Sequence, residues 1–464
     1  MRSNGKQRQP KISRESYLPE EAVNPPGTVG VPSFPTAQLG TQPCGDRTDL
    51  MEMVVERSNM LRALRRVEEN KGASGVDGMK VEELRPYLKE HWPCLREKLL
   101  AGNYQPMPVR RVEIPKPDGG VRLLGIPTAL DRLIQQAHLQ ILTPIFDPGF
   151  SEYSYGFRPG RSTHQAVKKA QEYIRQGYRY VVDIDLEKFF DQVNHDILMA
   201  RVARKAKDKR VLRLIRRYLE AGIMLNGCCI RTEKGTPQGG PLSPLLANII
   251  LDDLDKELER RGHKFVRYAD DSNVYVKSQR AGLRVMDSIR RFVEGRLKLK
   301  INLKKSAVDR PWKRKFLGFS FTVERESRIR IAQQSIKRFK DKVRELTSRS
   351  RGISLKERLE RLNTYLRGWM GYFRLTQAPS VLKALDEWIR RRLRMCLLKQ
   401  WKKPATKRRK LVALGIPKEW AQLISRSRKG YWRLANTPQV NKALGLSFWK
   451  NQGLMSLVER YEVR

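Results

Sequence analysis

An α+β fold followed by a helical bundle is what this sequence predicts, and three observations predict it. Tyr178 to Leu186 is a short, strongly apolar run with strand character, and Phe265 to Val276 reads as two more such runs joined by a tight turn. After residue 333, apolar residues return with helical spacing through three successive segments. At 464 residues the chain is long enough for two or three domains, each with its own core.

Residues 1–48 are rich in Pro, Gly, Gln, Thr and Ser and poor in aliphatic side chains, which predicts a disordered leader. A helical pattern starts at Met51 and ends at the turn Asn70-Lys71-Gly72-Ala73-Ser74-Gly75. Residues 110–127 alternate as a β-hairpin around Pro117-Asp118-Gly119-Gly120, with basic residues Arg110, Arg111, Lys116 and Arg122 along it. A helix over 129–142 follows. The loop Tyr155-Gly156-Phe157-Arg158-Pro159-Gly160-Arg161 then leads to a helix that Ser162 or Thr163 could cap and that runs to Gln176. In the strand over 178–186, period two places Asp183 and Asp185 on one face. The loop Lys234-Gly235-Thr236-Pro237-Gln238-Gly239-Gly240-Pro241 precedes an apolar helix near 243–260, and Ala269-Asp270-Asp271 forms the turn of the second hairpin. Three amphipathic helices follow, carrying Ile336, Phe339, Val343 and Leu346; Leu355, Leu359, Leu362, Leu366 and Phe373; and Leu382, Leu385, Ile389 and Leu393.

Lys and Arg total 94 against 49 Asp and Glu, a net charge of +45, so a polyanionic partner is expected and nucleic acid suits it best. Between 381 and 410 there are twelve basic and two acidic residues. Cysteines at 44, 94, 228, 229 and 396 form no C-x-x-C pair and no disulfide framework, which fits a reducing cytoplasm. No run of eighteen apolar residues occurs, so neither a signal peptide nor a membrane span is expected.

Asp185 at a strand end and Asp270-Asp271 at a hairpin turn are hard oxygen ligands of the kind Mg²⁺ takes. Brought together, they would suit nucleotidyl transfer with two divalent ions about 3.5–4 Å apart. An isolated acidic pair at a turn is more often simply solvated; the apolar strands on both sides distinguish this one.

Tyr268-Ala269-Asp270-Asp271, 83 residues after Asp185-Leu186-Glu187-Lys188-Phe189-Phe190-Asp191, resembles the motif pair of reverse transcriptases encoded by bacterial group II introns. The resemblance covers roughly residues 50–464 in the family's motif order. It implies a right-hand polymerase with an N-terminal extension of the fingers over 49–108, fingers over 109–180 and a palm over 181–325 with an antiparallel sheet. A helical thumb/maturase bundle over 333–410 and a basic nucleic-acid-binding tail over 411–464 would complete it. It implies Asp185, Asp270 and Asp271 as ligands of two Mg²⁺ ions, with Mn²⁺ able to substitute, and places Asp183 behind Asp185. Phe190 corresponds to the family's sugar gate, its alternative being a plain core aromatic. Lys116 and Arg122 correspond to the pair that grips the incoming triphosphate, the alternative being a solvated hairpin edge. Gln238 would lie near the incoming sugar unless its loop merely starts the next helix. Lys305 resembles the lysine that protonates the pyrophosphate leaving group, with Lys304 as a rival; Phe316-Leu317-Gly318-Phe319 resembles the hairpin that holds the primer end.

Leu362 to Phe373 and Trp388 to Arg394 resemble the maturase helices. The nucleic-acid contacts expected on this basis are Arg110, Arg158, Arg161, Arg367, Arg390, Arg391, Arg394, Lys402, Lys403, Lys407 and Arg408. The implied partners are the parent intron RNA, a DNA primer or target, and dNTPs. The implied activity is RNA-directed DNA synthesis during retrohoming, with help in splicing. No Cys/His cluster follows the thumb and the last histidine is His263, so the metal-finger endonuclease of some relatives is expected to be missing. A retron, diversity-generating or defence-associated polymerase, or a maturase without catalysis, stays open as an alternative.

Overall fold

The computed structural model describes residues 48–463 except 116–119, 226–227, 231–233 and 237, and only the backbone of Arg122, Leu225, Cys228 and Cys229. The leader up to residue 47 and the expected triphosphate contact Lys116 lie outside the described residues. The described chain forms two compact units, residues 48–330 and Ile331 onward.

Ten strands are described: β1 (Val109–Pro115), β2 (Val121–Ile126), β3 (Tyr180–Ile184), β4 (Ile223–Leu225), β5 (Cys228–Ile230), β6 (Lys264–Tyr268), β7 (Asp271–Val276), β8 (Ala307–Asp309), β9 (Phe319–Phe321) and β10 (Ile329–Ile331). The expected hairpin is β1–β2, with Val112 opposite Leu124. It belongs to a wider sheet of order β2-β1-β4-β5, in which β1 and β4 run parallel. β4 and β5 went unforeseen because three-residue strands carry no measurable period.

The second four-stranded sheet has order β6-β7-β3-β8 with antiparallel neighbours. Helix 279–292 packs on one of its faces at Gly282, where an added Cβ would lie 2.4 Å from Val308 Cγ1. Glycine is what lets this helix approach the strands so closely. Helix 243–260 keeps the expected bounds and buries Leu245, Leu246, Ile249, Ile250 and Leu254 in the core.

The pattern from Met51 is two helices, Leu50–Val55 and Arg57–Asn70, because Glu56 takes an extended ψ of 137°. Helix Val81–Leu100 was not read from sequence. It contains Pro86 and Pro93, which break the usual pattern, and it is held by buried Val81, Leu84, Leu95 and Leu99. Thr128 caps helix Ala129–Phe146, one turn longer than expected. Ser162, rather than Thr163, caps helix Thr163–Arg175 through a reciprocal pair with Gln165.

In the second unit the three expected amphipathic helices are Gln333–Leu346, Leu355–Phe373 and Pro379–Gln400. Phe339, Val343, Leu359, Leu362, Leu366, Leu382, Leu385, Ile389 and Leu393 are buried as their spacing predicts. The division expected at residue 410 falls inside helix Pro404–Ala413, and residues 411–463 are not a separate tail. Short helices follow over 418–426, 431–434, 438–443, 446–451 and 457–462; those over 431–434 and 457–462 pack on helix 379–400, and that over 418–426 packs on helix 404–413. The Asp386 carboxylate accepts from Ser456 Oγ at 2.7 Å and Leu457 N at 3.0 Å, and Trp449 is fully buried with its indole N–H on Leu444 O at 2.9 Å. Apolar residues widely spaced in a Lys/Arg-rich background concealed this packing. No described helix is long and apolar enough to cross a membrane.

Candidate active site

Two chain segments deliver carboxylates to one end of the β6-β7-β3-β8 sheet. β3 pairs with β7 up to Ile184 opposite Ser272, so the next step along β3 sets Asp185 opposite Asp271. β6 and β7 close at Tyr268 opposite Asp271, which leaves Ala269 and Asp270 as the turn. Ala269 adopts φ of 58°, a left-handed conformation that costs an alanine energy and that its neighbours must hold in place.

The support comes from below and from the side. Arg267 is fully buried and forks onto Asp255 at 2.6–3.0 Å. Its remaining guanidinium N–H groups reach Asn248 Oδ1 and the Ala269 carbonyl, each at 2.9 Å. Asn248 in turn donates to Gly156 O at 2.9 Å, and Tyr155 N donates to Arg267 O at 2.9 Å. A Cβ on Gly156 would come within 2.3 Å of Ala269 N, so only glycine lets this loop press against the turn. Arg267, Asp255, Asn248 and the role of Gly156 were missed in the sequence. Charged residues within an apolar strand and an apolar helix were the available signal.

The electrostatics mark the same place. Loss of solvation, then repulsion from Asp270, Asp183 and Asp185, pushes the Asp271 carboxyl up to about 7. Asp183 is already committed: Arg314 grips it at 2.5 and 2.8 Å, and the Asn273 amide, turned with its nitrogen toward it, donates at 3.0 Å. Asp185, Asp270 and Asp271 share the same sheet end. Lys305 Nζ stands 3.7 Å from Asp185 Oδ2. Asp185 is anchored through its backbone, its N–H to Ser306 Oγ at 2.9 Å and its carbonyl to Asn302 N at 2.8 Å. Arg314, which also donates to Lys305 O at 2.6 Å, was another omission.

Beside the carboxylates, Phe189 is buried and Phe190 is half-buried against it, ring centroids 5.1 Å apart. Thr236 N donates to Phe190 O at 2.6 Å and Gly235 N to Val193 O at 2.8 Å, so the Gly/Pro loop is fastened to the Phe190 segment. The same loop reaches β2, where Gly125 N donates to Gln238 O at 2.8 Å. Gln238 is thereby held against β2 through its backbone. Arg122 sits on β2 opposite Ile114, but its side chain is outside the described residues.

The expected nucleic-acid contacts divide sharply. Arg158 is buried and holds Asp147 Oδ1 at 2.7 Å and the Ser151 and Ser154 carbonyls, so it braces the loop before the palm and is not presented to a phosphate. Arg394 is buried, donates to Ala435 O at 2.8 Å and Leu444 O at 3.2 Å, and is held down to about 10 by burial and by Arg390 and Arg391. Lys407 is buried with its Nζ 4.9 Å from the Tyr431 ring centre. These three corrections share one reason: a guanidinium or ammonium can satisfy interior carbonyls or a ring face as readily as a phosphate. Arg391 lies over Trp432 at 3.9 Å, and Arg161 donates to Glu152 O at 3.0 Å. Arg110 and Arg390 are half-buried; Arg367, Lys402, Lys403 and Arg408 are exposed.

Among the described residues no three Asp, Glu, His or Cys side chains stand as a ready-made metal cage. The donor set nevertheless suits Mg²⁺, which binds through one or two carboxylates and completes its shell with water and substrate phosphates.

Residues 114–321 match the family model for reverse transcriptase (RNA-dependent DNA polymerase), and 336–414 match the group II intron, maturase-specific domain. Protein YkfC of Escherichia coli (strain K12) is 34% identical over 56% of this chain and 78% of its own length. Group II intron-encoded protein LtrA of Lactococcus lactis subsp. cremoris is 31% identical over 58% of this chain and 56% of its own length. A chain of a partial Cas6-RT-Cas1–Cas2 complex is 28% identical over 54% of this chain and 43% of its own, with a TM-score of 0.36, a structural likeness too low to argue from. With a reverse-transcriptase domain followed by a maturase-specific domain, the chain belongs to the family of group II intron-encoded reverse transcriptases.

Proposed function

We propose that this protein is an RNA-directed DNA polymerase that binds its parent intron RNA, assists its splicing, and copies it into cDNA from a DNA primer during retrohoming. The observation that carries the reading is the meeting of Asp185 with Asp270 and Asp271 at one sheet end, in a chain matched by both domain models. The maturase-specific match favours an intron over a retron or a defence system as the source.

Asp185, Asp270 and Asp271 would hold Mg²⁺, which would supply positive charge to activate the primer hydroxyl and to offset charge on the pyrophosphate. The protein's own groups do the rest. Asp185, Asp270 and Asp271 would fix where the ions sit, with the turn kept rigid by Arg267 and Gly156. Lys305, an exposed ammonium beside Asp185, is placed to give its proton to the leaving pyrophosphate. Lys116 and Arg122 bind the triphosphate oxygens from the fingers hairpin. Phe190 lies under the incoming sugar and rejects a 2′-hydroxyl by steric clash, and Gln238 contacts the same nucleotide. Exposed Arg367, Lys402, Lys403 and Arg408 bind RNA phosphates, with Arg110, Arg161, Arg390 and Arg391 contributing from partly covered positions.

The test is primer extension on an RNA template with Mg²⁺. Asp270→Ala with Asp271→Ala should lower the extension rate about a thousandfold or more, because several kcal/mol of charge stabilisation is lost. RNA affinity should stay near that of the wild type. Normal extension by the double variant would refute the assignment.

A further inference from the structure

The β6–β7 hairpin that carries the carboxylates at its turn ends, at its open end, in a cavity of about 420 Å³. Five steps along β7 separate the two, about 17 Å at the usual strand rise. The cavity floor is Tyr275, Val276, Ala281 and Val285, and Tyr178 forms a wall. Lys264, Lys277 and Arg284 stand on the rim, and no carboxylate lines it. His263, also on the rim, is held below its ordinary value by burial and by Arg261, so it is neutral at pH 7.

The three rim cations have no carboxylate partner among the described residues that line the cavity. Lys277 Nζ lies 5.7 Å from the Tyr178 ring centre, a contact an exposed lysine can leave. A second cavity of about 530 Å³ adjoins the first at Ser288 and is lined by Arg260, Arg261, Arg291 and Arg296. Its one acid, Glu257, is taken up by Arg260 and Arg261 and held down to about 2. Arg291 there pairs with Asp287 at 2.9 Å, so the unpaired charge is concentrated on the rim of the first cavity.

We infer that this end of the palm sheet is a second RNA site, which takes one unpaired nucleotide into the Tyr178–Tyr275 cavity and the adjoining phosphates onto Lys264, Lys277 and Arg284. The volume lies within the range of small-ligand pockets. An aromatic wall with a cationic rim and no acid suits a base and its phosphates better than any neutral ligand. An acidic protein surface would match the charge but has no use for a cavity with a tyrosine wall. The site is separate from polymerisation, so it would hold structured RNA while the carboxylate end copies.

The test uses the full chain and two RNA hairpins, one fully paired and one with a single bulged adenosine. Wild type should prefer the bulged hairpin. Lys264→Gln with Lys277→Gln and Arg284→Gln should lower the slope of log affinity against log salt by about 2–3, at about 0.9 per phosphate contact. Tyr178→Ala should weaken only the bulged hairpin, about tenfold, the loss expected for one stacked base. Both variants should extend a short unstructured template at the wild-type rate, which separates this site from the polymerase reading. An unchanged salt slope in the triple variant, or equal affinity of wild type for the two hairpins, overturns the inference. So does a variant that loses a protein partner while binding both RNAs normally.

Discussion

The two ends of the β6–β7 hairpin carry opposite charge and solve opposite problems. At the turn, Asp270 and Asp271 meet Asp185 and Asp183; Arg314 grips Asp183, and Lys305 stands 3.7 Å from Asp185. At the open end, Lys264 and Lys277 with Arg284 have no acid at all. At each end like charges stand close together and repel. The difference teaches which ligand each end awaits: cations and phosphates at the turn, a polyanion at the open end. It also shows how differently they are built, because the turn rests on a buried guanidinium and a glycine contact, while the open end uses flexible side chains on the rim.

The largest effect should come from the support of the turn. Arg267→Met leaves Asp255 charged and unpaired in the interior and should destabilise the protein by about 3–5 kcal/mol, read from the urea midpoint. Lys264→Met, three residues earlier in the same strand but on the rim, should change stability by less than about 0.5 kcal/mol. Similar losses in both would erase the distinction between the ends.

A smaller effect is expected at Gly156. Gly156→Ala forces a methyl against Ala269 N and shifts the turn, and a displacement of about 1 Å at a reacting group can cost 100-fold in rate. Single-turnover extension should fall about 10- to 100-fold with RNA affinity kept. Loss of RNA binding to the same degree would mean that the two ends are not independent.

The smallest effect concerns the cations of the second unit. Neutralising exposed Lys402, Lys403 and Arg408 should flatten the salt dependence of RNA binding by about 2–3 in slope with little change in melting temperature. Arg394→Ala should do the reverse, lowering the melting temperature because the Ala435 and Leu444 carbonyls lose their buried donor. If Arg394→Ala instead flattens the salt slope with stability intact, its place in the interior is wrong.

Much of the architecture was legible because its signals are local. The 3.6-residue period of Leu359, Leu362 and Leu366, the capping pair Ser162–Gln165, the helix over 243–260 and the turn at Ala269-Asp270 need only neighbours in the chain. The carboxylates could be named from their flanking strands and from family resemblance. Their meeting could not be seen, since it depends on the register that sets Asp185 opposite Asp271.

The sequence by itself determined the α+β class, the helical second unit, the excess of positive charge and the candidate residues, because composition and periodicity are properties of the chain. Tertiary structure alone decided which charges are available. Arg158, Arg267, Arg394 and Lys407 look like any other cation in the sequence, and folding turned them inward to satisfy carbonyls, a carboxylate or a ring. Lys264, Lys277 and Arg284 were left facing outward. A charge is spent or kept according to what folds within about 3 Å of it, and that distance is set by residues far away in the chain.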